Sequence, residues 1–181
     1  MSGKIGKCIV LGITGSIAAY KGADLCGKLV AGGYEVVVSM TESATKLVGE
    51  QTFLTLSQNP VIVDLWTAPT WRPEHVALSE RADLLIVAPC TANFIGKYAN
   101  GIADDALTTI AMTHEGKVLL APAMNPKMWR SPAVKENVER LKKRGVNFVG
   151  PVSGRLACGP DGEGRMADVE AILKEAIALL N

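Results

Sequence analysis

The chain alternates short apolar runs, rich in β-branched residues, with longer stretches whose apolar positions recur at helical spacing. This alternation predicts βαβ units, in which helices join parallel strands and cover the sheet. We therefore expect an α/β fold, a single-domain doubly wound Rossmann-like parallel sheet of about six strands with helices on both faces. The predicted strands are Lys7 to Ile13, Glu35 to Met40, Val61 to Asp64, Leu84 to Ala88, Lys117 to Ala121 and Asn147 to Val149.

The segments between these strands have the periodicity of amphipathic helices. Two stretches rich in glycine, proline and polar residues, Thr67 to Glu74 and Gly150 to Gly164, are predicted to be loops. The second is long for a compact domain, which is typical of lids and disordered segments. We expect one domain over residues 1–181, with a flexible substrate lid near 150–166. The predicted helices are Ile17 to Ala31, Ser43 to Gln58, Ala92 to Asn100, Asp104 to Met112, Pro132 to Arg144 and Asp168 to Leu180.

Composition and charge exclude several classes of protein. The chain has 181 residues, of which 48% are hydrophobic and 20% are charged, so it can bury one well-formed core. Its 19 Lys and Arg residues are balanced by 18 Asp and Glu residues, which leaves no basic excess to attract nucleic acid or an anionic membrane. No apolar run approaches the ~20 residues that cross a bilayer. Neither nucleic acid nor a membrane is expected as a partner.

The cysteines indicate the compartment. Cys8, Cys26, Cys90 and Cys158 have neither pairing nor metal-ligand spacing, which is typical of reduced thiols in a cytoplasm. The run from Cys8 to Ala19 follows two lysines as in a signal peptide, but glycines interrupt it where a strand should turn into a helix. We expect a cytoplasmic protein without a metal site.

Doubly wound sheets bind ligands beyond the carboxyl ends of their strands. After the first predicted strand, Gly12 and Gly15 permit a tight turn, and the amides of the helix that follows can hold an anion. The spacing is neither a dinucleotide fingerprint nor a Walker loop. A helix capped by Ser16 with nothing bound is an equally good interpretation of this segment.

Two later segments carry a family resemblance. The fourth predicted strand leads into Ala88 to Phe94, and the fifth leads into Ala121 to Trp129. These segments resemble the two signatures of the homo-oligomeric flavin-containing cysteine decarboxylases, Pro-Ala-Ser-Ala-Asn-Thr and Pro-x-Met-Asn-x-x-Met-Trp. The second signature is matched at each fixed position. The first departs at Cys90, Thr91 and Phe94, where the family has Ala, Ser and Thr.

Further motifs extend the resemblance over nearly the whole chain. Ala157 to Met166 is similar to the flexible clamp of the branch that decarboxylates 4'-phosphopantothenoylcysteine in coenzyme A synthesis, and His75 matches the family's catalytic histidine. Ile95 to Lys97 and Asn100 to Asp105 also match. The resemblance implies a homo-oligomer, a trimer or a dodecamer, with FMN between subunits. A phosphopantothenoylcysteine synthetase, which many bacterial homologues carry as a second domain, is implied as a further partner.

The chemistry explains why a flavin is needed. Loss of CO2 from a cysteine carboxylate leaves an electron pair on a carbon that has no adjacent acceptor. If FMN first removes two electrons from the thiol-bearing carbon, the resulting thioaldehyde accepts that pair and an enethiolate forms. Re-reduction of the enethiol to the saturated thiol then needs hydride from reduced FMN and a proton from an acid.

The resemblance assigns the catalytic roles to two residues. Cys158 is the acid, since a thiol with a reference pKa of about 8.5 is still protonated at neutral pH. His75, with an unperturbed pKa near 6.5, acts in the oxidation and decarboxylation steps. A surface or helix-cap position is the alternative for His75. We expect His114 to be solvated in a polar turn.

The resemblance also implies substrate contacts. Asn125 has the donor and the acceptors to hold a carboxylate, although Asn followed by Pro favours a turn on its own. Met128 contacts the substrate or is a core residue, and Ala157 belongs to the clamp. Arg165 meets the substrate phosphate, closes the lid or is solvated. FMN is expected to contact residues that follow four of the strands, namely Gly15, Ser16, Ile17, Thr41, Ser43, Thr91, Ala92, Asn93, Phe94 and Ala123.

The expected activity is that of a carboxy-lyase, the FMN-dependent decarboxylation of 4'-phosphopantothenoylcysteine to 4'-phosphopantetheine. A peptidyl-cysteine decarboxylase of lantibiotic synthesis stops at the enethiol and needs no returning proton, so Cys158 argues against it. A flavin prenyltransferase shares the fold but not the motif around Asn125. A non-catalytic FMN-binding regulatory subunit would need neither His75 nor Cys158.

Overall fold

The computed structural model describes residues 6–66, 74–156 and 159–181. Its main sheet consists of parallel strands, and a separate antiparallel hairpin follows them in the chain. The parallel strands are β1 (Cys8–Ile13), β2 (Glu35–Met40), β3 (Leu84–Cys90), β4 (Lys117–Pro122) and β5 (Asn147–Phe148). The hairpin strands are β6 (Val152–Leu156) and β7 (Gly159–Arg165). The order in the main sheet is β2-β1-β3-β4-β5.

Helices connect the strands and cover both faces of the sheet. They are α1 (Ala19–Ala31), α2 (Glu42–Thr45), α3 (Glu50–Ser57), α4 (Glu74–Arg81), α5 (Ala92–Ala99), α6 (Ala106–Thr113), α7 (Pro126–Arg130), α8 (Pro132–Lys143) and α9 (Val169–Leu180). In the part of the chain that the structure describes, no helix combines the length and the apolar character required to cross a bilayer.

The two faces of the sheet bury separate apolar cores. Ile9, Leu11 and Ile13 of β1 pack in the core that contains α1, α3 and α9. Cys8 and Val10 of the same strand pack in the core that contains α5, α6 and α8. Because successive side chains of a strand point to opposite faces, a strand covered on both sides is apolar throughout, as β1 is.

The predicted doubly wound α/β fold is confirmed, with five parallel strands instead of six. The predicted third strand, Val61 to Asp64, contributes only an isolated bridge between Ser39 and Ile62. Immediately afterwards, the Asp64 carboxylate accepts a hydrogen bond from the Trp66 amide at 3.1 Å. The pairing does not continue because the partner strand β2 ends at Met40, whose amide donates to the Ile62 carbonyl, and the next residue, Thr41, caps α2.

Several helical and strand boundaries also differ from the prediction. The predicted helix Ser43 to Gln58 is two helices, because the chain is extended at Gly49, which caps α3. Helices α4 and α7 are additional, and α4 begins at the last residue of the predicted loop Thr67 to Glu74, the rest of which lies outside the described residues. Most of the predicted loop Gly150 to Gly164 is the β6–β7 hairpin. Glycine is depleted in strands, so this pair has no apolar alternation to reveal it.

Candidate active site

The strand order reverses between β1 and β3, which opens a crevice at the carboxyl edge of the sheet. Four of the predicted site residues follow four neighbouring strands at this edge. Gly15 follows β1, Thr41 follows β2, Thr91 follows β3 and Asn125 follows β4. The topology therefore brings together segments that are far apart in the sequence.

Thr14 joins the segments that follow β1 and β3. Its side chain is buried, with 1% exposed, and its hydroxyl donates to the Pro89 carbonyl at 2.7 Å. The same oxygen accepts a hydrogen bond from the Thr91 amide at 3.0 Å. One hydroxyl thus fixes both walls of the crevice. The role of Thr14 was not predicted, and its place in the turn between Gly12 and Gly15 is its one signal in the sequence.

The segments after β1 and β2 also touch. A Cβ atom built on Gly15 would lie 2.5 Å from the Ser43 Cβ, closer than real side chains approach. The Thr41 amide donates to the Ile13 carbonyl at 3.0 Å, and the Thr41 hydroxyl caps α2 by accepting from the Ala44 amide. The residues after β1 and β2 that are predicted to contact FMN therefore form one continuous surface.

Of the remaining predicted cofactor contacts, Ser16 and Ile17 lie just before α1, and Ala123 lies just after β4. The Ser16 hydroxyl accepts from the Ala18 amide at 3.4 Å, but Ser16 does not cap α1, because the N-cap residue is Ala18 and no side chain among the described residues caps this helix. Ile17 is 62% exposed. Ala123, after β4, is buried and its amide donates to the Cys90 carbonyl at 2.9 Å.

The first turn of α5 combines accessible and buried positions. Thr91 caps the helix by accepting from the Phe94 amide, and Ala92 and Asn93 are partly or fully exposed. The Phe94 side chain is only 2% exposed and its ring centroid lies 5.8 Å from that of Tyr98. The aromatic residue that replaces the family's threonine thus packs into the core, and its ring is not presented to the crevice.

The turn after β4 presents polar and apolar groups. Asn125 is exposed, and its Oδ1 accepts from the Lys127 amide at 2.8 Å, which caps α7. Among the residues that the structure describes, the Asn125 side-chain NH2 group has no acceptor. Met128 is 48% exposed, so the core alternative does not apply to it. Trp129 is buried beneath the Lys135 ammonium, 4.0 Å from the ring centroid.

The hairpin meets this turn and the start of α9. The Met124 amide donates to the Gly164 carbonyl at 2.9 Å. Arg165 donates to the Asp168 carboxylate at 3.1 Å, and Lys21 of α1 lies 3.8 Å from the same carboxylate. Arg165 is therefore paired within the chain, and the substrate-phosphate contact stays a prediction.

The two predicted catalytic side chains, those of His75 and Cys158, lie outside the described residues. His75 lies in the first turn of α4, and its side chain is outside the described residues. Ala157 and Cys158 also lie outside them, between β6 and β7. Their roles remain predictions from the resemblance.

The other cysteines are buried thiols. Burial raises the pKa of Cys8 and of Cys26 to about 11, and it also raises the pKa of Cys90. Because the thiolate is the reactive form, these cysteines are inert at neutral pH. Among the described residues, no cluster of side chains could hold a metal ion.

The motif stretch around α5 has a structural role. Lys97 pairs with Asp104 at 2.6 Å and with Asp105 at 3.4 Å. Asp105 forms a capping box with Thr108 at the start of α6. Asn100 accepts a hydrogen bond from Arg140 of α8 at 2.7 Å. These contacts hold α5, α6 and α8 together behind the crevice.

The prediction of a solvated His114 is wrong. The ring is buried, with Nδ1 3.4 Å from the Ser79 carbonyl oxygen and Nε2 3.1 Å from that of Lys117. A Cβ on Gly116 would lie 2.7 Å from His114 Cε1, so the turn folds directly over the ring. The polar sequence of the turn concealed this burial.

The chain is similar to known proteins along almost its full length. A family model described as Flavoprotein matches residues 2–181. The chain is 46% identical over 171 residues to the coenzyme A biosynthesis bifunctional protein CoaBC of Bacillus subtilis (strain 168), covering 93% of this chain and 42% of that protein. It is 41% identical over 177 residues to the CoaBC protein of Mycobacterium tuberculosis (strain ATCC 25618 / H37Rv), covering 98% of this chain and 42% of that protein. The chain spans less than half the length of these curated relatives.

Solved structures agree with this similarity. A PPC decarboxylase mutant complexed with pantothenoylaminoethenethiol superposes with a TM-score of 0.85 at 28% identity, covering 96% of this chain and 97% of that one. The FMN-dependent cysteine decarboxylase SpaF gives a TM-score of 0.79 at 30% identity, covering 95% of this chain and 98% of that one. The fold and the crevice thus define a flavoprotein. The chain belongs to the Flavoprotein family and, within it, to the flavin-containing cysteine decarboxylases, as its sequence motifs predict.

Proposed function

We propose that the chain catalyses the FMN-dependent decarboxylation of 4'-phosphopantothenoylcysteine to 4'-phosphopantetheine in coenzyme A biosynthesis. The proposal depends mainly on the hydrogen bonding of the Asn125 side chain. One side of the Asn125 amide is used to cap α7, while its NH2 group has no acceptor among the described residues. A carboxylate is the natural acceptor for such a donor. Relatives named for coenzyme A biosynthesis, and a PPC decarboxylase holding an aminoethenethiol ligand, support the choice of substrate.

The residues at the carboxyl edge fit FMN. The N-termini of α1 and α5 lie beside the crevice, where their amides and helix dipoles favour a phosphate. Gly15 lets the backbone approach Ser43 without a side chain in between, and Ser16 and Thr41 supply hydroxyl groups. When bound, FMN supplies a two-electron oxidation and, later in the turnover, a hydride.

The chain's own residues bind the substrate and transfer protons. The Asn125 NH2 group donates to the substrate carboxylate and fixes the carbon–carbon bond that breaks. His75 acts in the oxidation and decarboxylation steps. Cys158 donates its thiol proton to the unsaturated product, and Met128 and Arg165 contact the remainder of the substrate. The positions of Thr91 after β3 and of Asn125 after β4 support these roles.

Assembly is part of the proposal. Ile17 and Tyr20, which flank the start of α1, are 62% and 63% exposed, and Met128 is also exposed. Exposed apolar groups around a cofactor crevice favour burial by another molecule. We therefore propose a homo-oligomer, a trimer or a dodecamer, with FMN between subunits, in the cytoplasm. The bifunctional relatives, of which the chain spans 42%, support a phosphopantothenoylcysteine synthetase as a further partner.

Product analysis tests the proposal. The FMN-loaded protein is incubated with 4'-phosphopantothenoylcysteine or with a peptide that ends in cysteine, and the products are identified by mass spectrometry. The proposal expects the first substrate to lose CO2 and to yield the saturated thiol. Reaction of the peptide alone, with an enethiol product, would favour the peptidyl-cysteine decarboxylase. No reaction of either substrate in a yellow, folded protein would favour the regulatory subunit.

A further inference from the structure

The β6–β7 hairpin is docked onto the Asn125 turn through a close backbone contact of Gly164. The Gly164 carbonyl near the end of β7 accepts the Met124 amide at 2.9 Å. Met124 immediately precedes Asn125, so the contact joins β7 to the segment that carries the proposed carboxylate-binding group. Because β6 and β7 are connected through residues 157–158, the docking of β7 sets where the hairpin lies relative to that turn.

Gly164 has no room for a side chain. A Cβ atom at this position would overlap the Met124 carbonyl oxygen, and it would lie 3.3 Å from the Pro126 nitrogen and 3.4 Å from the Asn125 carbonyl carbon. All three atoms belong to the backbone, so no rotamer change can move them aside. Any larger residue must therefore separate β7 from the turn.

We propose that Gly164 is a positioning residue, whose contact with Met124 determines how completely the enethiol is converted to the saturated thiol before release. This inference rests on the proposed function. Asn125 holds the substrate during loss of CO2, whereas Cys158 donates its proton afterwards. The conversion adds a hydride to the thiol-bearing carbon and a proton to the carbon that lost CO2. The two electrons are those removed earlier in the same turnover, so the net reaction is loss of CO2 alone.

The contact affects the two halves of the turnover unequally. If β7 moves away from the turn, Asn125 keeps its position, because its Oδ1 still accepts the Lys127 amide and caps α7. The same shift moves β7, which follows Cys158 directly in the sequence, away from the Asn125 turn, and the proposed proton transfer from Cys158 is the step that it impairs. Proton transfer depends steeply on such a displacement. The intermediate would then leave before it is reduced.

Glycine-to-alanine variants provide the test. Gly164→Ala is compared with Gly27→Ala in α1, where the nearest atom to the new Cβ is the Leu56 Cδ2 at 3.9 Å. With both proteins loaded with FMN, Gly164→Ala is expected to raise the ratio of released enethiol to saturated thiol at least about fivefold, while Gly27→Ala leaves it unchanged. An equal decrease of both products, with an unchanged ratio, would overturn the inference. Absence of any product from the unsubstituted protein would instead contradict the proposed function.

Hydrogen exchange gives a readout that needs no turnover. Met124 lies outside β4 and α7, so the protection of its amide depends on the Gly164 carbonyl. In the unsubstituted protein, this amide should exchange at least about tenfold more slowly than in an unstructured peptide, and Gly164→Ala should abolish that difference. Unprotected exchange in the unsubstituted protein would overturn the docking, even if the variant failed to fold.

Discussion

Gly15 lies directly against Ser43, so that a Cβ atom on Gly15 would come within 2.5 Å of the Ser43 Cβ. The two residues follow different strands, and each is predicted to contact FMN, Gly15 at its phosphate and Ser43 near it. Their contact means that the phosphate site depends on the close approach of two loops as well as on its donors. A substitution of Gly15 can test this dependence on loop packing without removing a hydrogen-bond donor.

Replacing Gly15 by alanine should weaken FMN binding. The new methyl group must push the loops after β1 and β2 apart, so we expect the FMN dissociation constant to rise at least about tenfold, which corresponds to about 1.4 kcal/mol. Fluorescence titration of the apoprotein measures it. Gly49→Ala is the matched control, because no atom lies within 4 Å of its Cβ position. Equal affinities for the two variants would show that the contact does not matter.

Thr14→Val should destabilise the protein. The substitution leaves the buried Pro89 carbonyl and the Thr91 amide without their hydroxyl partner. Each unsatisfied buried group costs about 1–3 kcal/mol, so we expect the free energy of unfolding to fall by about 2–6 kcal/mol in equilibrium urea denaturation. Thr14→Ser retains the hydroxyl and should lose much less. A valine variant as stable as the serine variant would contradict this assignment.

Asn125→Asp should impair substrate binding without affecting folding. The carboxylate can still accept the Lys127 amide and cap α7, but it lacks an NH2 donor and repels the substrate carboxylate. We expect an almost unchanged melting temperature and unchanged FMN binding, with kcat/KM reduced at least about 100-fold, or about 2.7 kcal/mol. Retained activity would remove Asn125 from its proposed role.

The buried Cys26 should make the protein sensitive to alkali. Burial raises its pKa to about 11, so the folded state keeps a proton that the unfolded chain releases near its ordinary value. Its contribution to stability is complete below about pH 9 and is lost as the pH rises towards 11. In Cys26→Ala, the loss of unfolding free energy between about pH 8.5 and 10.5 should be smaller by about 2 kcal/mol. Parallel pH dependences of Cys26→Ala and the unsubstituted protein in urea denaturation would contradict the shifted pKa. Ser57→Ala, which replaces a side chain that does not titrate, is the control.

The sequence predicted the sheet because its central strands are buried on both faces. β1 and β3 are therefore apolar throughout, and their boundaries agree with the structure within two residues. At Val61 to Asp64 the same composition was misleading, because the neighbouring strand β2 ends at Met40 and leaves only an isolated bridge at Ile62. Strand propensity does not report whether a partner strand is present.

The site was predictable where it consists of motifs and unpredictable where it depends on distant contacts. The sequence identified Asn125 and Gly15, since each belongs to a local turn with characteristic chemistry. It did not identify Thr14, whose partners lie 75 and 77 residues away, nor the contact of Gly164 with Met124. Such contacts are properties of the topology and have no local signature.

The central claim is that a flavin accepts and returns the electrons that make decarboxylation possible, and it is tested most directly by measuring CO2 release with and without FMN. Protein stripped of flavin and the same protein reconstituted with FMN are incubated with 4'-phosphopantothenoylcysteine. Our account predicts CO2 and the saturated thiol from the reconstituted protein and none from the flavin-free protein. Equal CO2 release from both would contradict it.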